Sequence, residues 1–180
     1  MKYLLPYILV CFLLMPTFQF AQSKEEELID WSASQRLTWH DYKGSPNPNS
    51  DAAASTTTYL GIDYSITSTN YSYKIQSRFS KTRSWGLHKS DYILSHEQGH
   101  FDIAEVFARK LNKEMSKYKF NKKTYQKDLH KIYEDVTKEK EEVQNDYDSE
   151  TRHSINRRKQ AEWLKKIEEM LEEYNEYADY

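Results

Sequence analysis

Two histidines and a glutamate set the chemistry this sequence can offer, because His96, Glu97, Gln98, Gly99 and His100 spell H-E-x-x-H. On a helix, residues four apart lie one turn apart on one face. Both imidazoles then point the same way with a carboxylate beside them. Zinc accepts imidazole nitrogen, and a catalytic site leaves one of its four positions to water. The pKa of that water falls towards about 7, within reach of Glu97 as general base. The plain alternative is a pair of partly buried histidines hydrogen-bonded in a helix interface, which gives Glu97 no reason to share their side.

Two histidines do not complete such a site. Glu105 is the nearest further acid, but five residues beyond His100 is about 140° around a helix axis, so it points elsewhere. A third histidine six residues after the second is absent. Val106 holds that place, and Ile103 stands where the chain reversal would need glycine. The expected third ligand is His153, which opens a third helix on the side of Arg157, Gln160 and Leu164. An antiparallel return of that helix sets it against His96 and His100. Asp148, in the turn before it, is the runner-up, with Glu105 behind. Other polar residues have plainer readings: His40 and His88 as exposed loop histidines, His130 as a surface residue, Asp102 as a structural carboxylate, Gln160 and Trp163 as packing.

The elements that must position these residues follow from periodicity. Ile93, His96, Glu97, His100, Ile103, Ala104, Phe107, Leu111 and Met115 recur at three and four residues, predicting an active-site helix over 91–118 capped by Ser90 or Asp91. Before it, Ser55 to Thr67 and Ser72 to Phe79 read as two antiparallel strands, with Thr69 and Asn70 in the turn. Leu28 to Tyr42 reads as strand plus loop, and Gly44, Pro46 and Pro48 forbid regular structure over 43–51. Two charged amphipathic helices follow, from about Thr124 to Tyr147 and from about Thr151 to Tyr177. The fold class is α+β: N-terminal antiparallel strands (strand-rich over 28–80) packed on a zinc-binding helix, then a helical part over 123–178.

Bulk properties add boundaries. With 180 residues, four glycines and four prolines, one domain over 22–180 is expected. The formal charge of −2 gives no electrostatic case for nucleic acid or an anionic membrane. Lys2 and the interrupted apolar stretch from Leu4 to Phe20 read as a signal peptide over 1–21, cleaved near Ala21. That implies a periplasmic or secreted protein with no stable membrane insertion after cleavage. Cys11, the only cysteine, lies inside this leader, so no disulfide framework is available.

The stretch from Leu94 to Leu111, with His96, Glu97, His100, Phe101, Asp102, Ile103, Ala104 and Glu105, resembles the domain family of unknown function 922, described as predicted secreted zinc-dependent proteases. Further matches are Leu37, Thr38, Trp39, Asp41 and Gly44, then Ser84 and Trp85, then Tyr147, Asp148, Thr151, His153, Gln160 and Trp163. Ser154 departs from the glycine expected after the histidine. The resemblance implies a zincin-like fold in which an extended substrate pairs with an exposed sheet edge, here supplied from Ser55 to Phe79. The function expected is hydrolysis of peptide bonds in a peptide or protein substrate. The alternatives are a non-catalytic zinc-binding structural or adhesive module, and a cell-wall amidase using the same site.

Overall fold

Tyr71, Tyr73, Ile75, Ser77 and Phe79 turn inward while the residues between them face outward, and this alternation builds the longest strand. The computed structural model describes residues 26–47, 49–50 and 52–180. The leader expected over 1–21 lies outside the described residues. Strand β1 spans Leu28–Asp30, β2 Ala54–Ser55, β3 Thr58–Ile66, β4 Tyr71–Ser80 and β5 Trp85–Gly86. β4 is central in a three-stranded antiparallel sheet of order β1-β4-β3, with Thr58 opposite Phe79 and Ile66 opposite Tyr71. The Thr67 N–H donates to the Asn70 carbonyl (2.9 Å) and closes the hairpin. β2 and β5 form a separate antiparallel pair.

Helix α1 spans Asp91–Lys117, and the Ser90 hydroxyl caps it by accepting from the Ile93 N–H. An amphipathic stripe would bury one face, yet Phe101, Glu105, Val106 and Ala108 are buried as well. The cause is architectural. Leu60 and Ile75 of the sheet share one core with α1, with α2 (Tyr125–Thr151) and with α3 (Arg157–Glu173), so layers on both sides wrap α1. Phe101 joins a second cluster with Leu37, Tyr42 and Phe79.

The junction of the last two helices differs from expectation. α2 runs on through Asp148 to Thr151, and α3 starts only at Arg157, so His153 does not open a helix. Thr151 turns its hydroxyl back to the Tyr147 carbonyl (2.6 Å), whereas Asn156 is the residue that caps α3, accepting from the Lys159 N–H. Between them Arg152, His153 and Ser154 have φ of 53°, 49° and 70°, three consecutive left-handed residues without glycine. Over the described residues the fold is α+β, with antiparallel strands and three α-helices. No helix among the described residues is long and apolar enough to cross a membrane.

Candidate metal centre and its cleft

α1 and the last turns of α2 bring three donor atoms together. His96 Nε2 and His100 Nε2 are 3.3 Å apart, and Asp148 Oδ1 lies 3.1 Å from each. His96, on the buried side of α1, is 3 % exposed. Asp148 reaches the pair because it sits in the last turn of α2, on the side facing α1. Burial pushes its carboxyl up, but hydrogen bonds and charge from His100 and His96 outweigh this and hold it far below the ordinary carboxylate range. Burial drives His96 towards its neutral form despite the Asp148 bond. At His100 burial acts the same way, yet the bond and charge of Asp148 prevail and favour the imidazolium. Two ring nitrogens converging on one anion form a site suited to a cation.

The imidazoles are held from behind. Gln144, one turn before Asp148 on α2, donates from Nε2 to the His100 carbonyl (2.9 Å), which leaves its Oε1 to accept from His100 Nδ1–H. That assignment frees the Nε2 lone pair for the centre of the cluster. Tyr147 is fully buried; its ring stacks on His96 at 4.5 Å and meets His100 edge-on at 5.0 Å. Its hydroxyl donates to the His96 carbonyl at 3.2 Å. His96 Nδ1 is buried with no partner among the described residues.

Glu97 is also buried and lines the same cleft, which encloses about 450 Å³. Thr56 Oγ1 donates to Glu97 Oε2 at 2.6 Å, and since that spends its only proton, the Tyr42 hydroxyl 2.8 Å away donates to Thr56. Burial, then the Glu97 charge, raises the Tyr42 phenol, keeping its proton in place. This two-hydroxyl chain fixes the carboxylate's direction. Residues 52–58, including β2, form one wall of the cleft, and Lys140, Gln144 and Asp148, one turn apart on α2, form the other.

The expected third ligands separate clearly. Asp148 is within the cluster. His153 is 70 % exposed at the cleft's rim, with Nδ1 3.4 Å from Asp148 Oδ1. Glu105 lies away from the pair, bonded to Arg109 Nε (2.9 Å) and the Tyr180 hydroxyl (2.6 Å). Asp102 accepts from Trp31 Nε1 and Gln98 Nε2 and pairs with Arg36, a fastening between α1 and the N-terminal segment. His40 and His88 are exposed, and His130 pairs with Glu134 on the surface of α2. Gln160 donates to the Tyr92 carbonyl and the Ser95 hydroxyl, tying α3 to α1. Gln144, Thr56 and Tyr42 escape sequence reasoning; the one available signal is that Gln144 precedes Asp148 by four residues and so shares its helix face.

A family model described as "Bacterial protein of unknown function (DUF922)" matches residues 21–154, well over half of the chain. No curated protein and no solved structure matches it.

Proposed function

Since the chain belongs to this bacterial family, we propose a function from the site itself: zinc-dependent hydrolysis of peptide bonds, with His96, His100 and Asp148 as the zinc donors and Glu97 as general base. The observation that carries this reading is the position of Glu97, buried beside the donor cluster in the same cleft and aimed by Thr56. A site that served only to cross-link helices would have no use for it. The donor set supports zinc. Tetrahedral bonds of about 2.0 Å place donors about 3.3 Å apart, close to the 3.1 to 3.3 Å separations of the three atoms. Strands before a motif helix, with a third donor from a later helix, suit a zincin-like arrangement.

Zinc, when bound, supplies Lewis acidity that polarises a carbonyl and makes water a proton donor near neutral pH. Glu97 takes the proton of the attacking water as the C–O bond forms, then delivers it to the nitrogen as the C–N bond breaks. Thr56 and Tyr42 keep the carboxylate directed throughout. Among the described residues β2 is paired only to β5, and the small side chains of Ala52, Ala53 and Ala54 on that wall leave room for an extended chain bound through its backbone.

His153 favours one other reading. Swung inward, it would be a fourth protein donor beside Asp148, and a site closed in this way is structural. The deciding measurement is zinc content and cleavage of an unfolded protein substrate by Glu97→Gln, Asp148→Ala, His153→Ala and Glu105→Ala. Glu97→Gln is expected to keep zinc and lose hydrolysis. Asp148→Ala loses zinc, while His153→Ala and Glu105→Ala retain it. Loss of zinc from His153→Ala as well would favour the closed site.

A further inference from the structure

The cleft does not end at the donor cluster. Past His153 and Ser154 it continues into a second cavity of about 740 Å³, and Ser50, Ala52 and Ala53 line the wall of both. The second cavity adds Tyr92, Ile93, Arg152, Ile155 and Arg157. Its two arginines differ from the others in the chain. Arg36, Arg78, Arg109 and Arg158 each meet a carboxylate, and Arg83 bonds the Tyr59 hydroxyl. Neither Arg152 nor Arg157 has a carboxylate partner among the described residues.

Both arginines are exposed at the cavity's rim; Arg157 is positioned by a side-chain contact, and Arg152 is carried there by the backbone of its turn. Arg157 lies over the Tyr92 ring, 4.3 Å from its centroid, a contact that orients the planar group. The Tyr92 hydroxyl donates to the Ser154 carbonyl at 2.7 Å, so one ring holds both Arg157 and the turn that carries Arg152 and His153. That turn is left-handed at three successive residues, a conformation unfavourable for residues that carry side chains, and it persists because surrounding contacts hold it. At the opposite end of the cleft, Lys140 is matched by Glu141 at 2.7 Å. Among the described residues, the arginines that line the second cavity thus have no carboxylate counterpart, whereas Lys140 has one.

We propose that the Arg152–Arg157 cavity is a substrate subsite that binds a carboxylate a short distance along the chain from the bond that is cut. The inference rests on the peptidase reading. Guanidinium groups match a carboxylate with paired N–H donors, and Ile93 and Ile155 offer apolar surface to the methylenes that carry it. The carboxylate comes either from an acidic side chain or from the free C-terminus of the substrate.

The test uses a peptide series in which one Glu is moved along an otherwise neutral sequence, with a Gln and a Lys counterpart at each place, each made with a free and an amidated C-terminus. Zinc-loaded wild type and the Arg152→Glu/Arg157→Glu variant are compared by kcat/KM. Wild type is expected to prefer the Glu peptide at one position, or the free C-terminus, by about tenfold or more, and which of the two arms responds identifies the source. The charge-reversed variant is expected to lose that preference and shift towards Lys. Binding of the same peptides to zinc-loaded Glu97→Gln, read by fluorescence anisotropy, tests the subsite independently of turnover. Absent hydrolysis with retained carboxylate preference in binding overturns the peptidase reading and keeps the subsite. Equal rates and equal affinities for acidic and neutral peptides in wild type overturn the subsite.

Discussion

A β-carbon on residue 99 would stand 2.5 Å from the hydroxyl oxygen of Tyr147 and 2.9 Å from the ring carbon that bears it. Gly99 is therefore the opening through which α2 approaches α1 closely enough for Tyr147 to stack on His96 and for Asp148 to reach both histidines. Gly99→Ala must displace a fully buried ring. Overpacking of this kind costs about 1–3 kcal/mol, of which the better helix propensity of alanine returns about 1 kcal/mol. The expected outcome is a Tm a few degrees lower together with clearly weaker zinc binding, because the shift falls on the helix face carrying Asp148. Thermal unfolding and zinc titration of the variant check this; wild-type zinc affinity would separate the Tyr147 contact from the donor geometry.

Gln144 is bonded to His100 twice, from its Nε2 to the carbonyl and from its Oε1 to Nδ1–H. Gln144→Leu keeps the bulk and removes both bonds, leaving the imidazole free to rotate or change tautomer. Partners of this kind are worth about ten- to a hundredfold in metal affinity, and that is the loss expected, with the helical content by circular dichroism unchanged. An affinity within twofold of wild type would show that stacking on Tyr147 alone orients His100.

Asp148 predicts a pH dependence in the metal-free protein. Its folded pKa lies well below the unfolded value of about 3.9 because the two histidines beside it favour the anion over the opposing effect of burial. A depressed carboxyl contributes stability that is present above the unfolded pKa and lost as pH falls through the folded one. The Tm difference between wild type and Asp148→Asn, measured without metal, is therefore expected to shrink as pH falls below about 4. A difference that stays constant on further acidification would contradict the charge arrangement described.

The strand pair and α1 were legible because both are long and periodic: period two from Tyr71 to Phe79, three and four from Ile93 to Met115. The site's third corner was not. Thr151 and Asn156 are both residues that cap helices, and local sequence does not say which one starts α3; only the packed structure assigns Asn156. That choice moves Asp148 onto a helix and leaves His153 in a turn. Three left-handed residues without glycine contradict local preference, so no reading of Arg152, His153 and Ser154 alone would have found the turn. Thr56 is hidden for a different reason, since in a run of threonines a residue chosen for its hydroxyl looks the same as one chosen for a strand. The burial of the middle of α1 on more than one face followed from layers that are distant in sequence.

Thr56 gives the sharpest test of how Glu97 is directed. Its proton goes to Glu97 Oε2 and its oxygen accepts from Tyr42, so one hydroxyl couples a buried phenol to the carboxylate proposed as general base. Thr56→Val preserves shape and strand preference while leaving both partners without this contact. A hydrogen bond to a charged group is worth about 1.5–3 kcal/mol, which in a rate corresponds to about ten- to a hundredfold. The expected effect is a fall of that size in kcat with KM and zinc content unchanged, because Thr56 does not touch the donor atoms. Thr56→Ser, which restores the hydroxyl without the methyl, should recover most of the loss, whereas Tyr42→Phe should cost less than Thr56→Val because the Thr56 to Glu97 bond survives. If Thr56→Val cleaves as fast as wild type, Glu97 takes its direction from α1 alone, and the chain from Tyr42 serves only to join the β2 wall to the N-terminal segment.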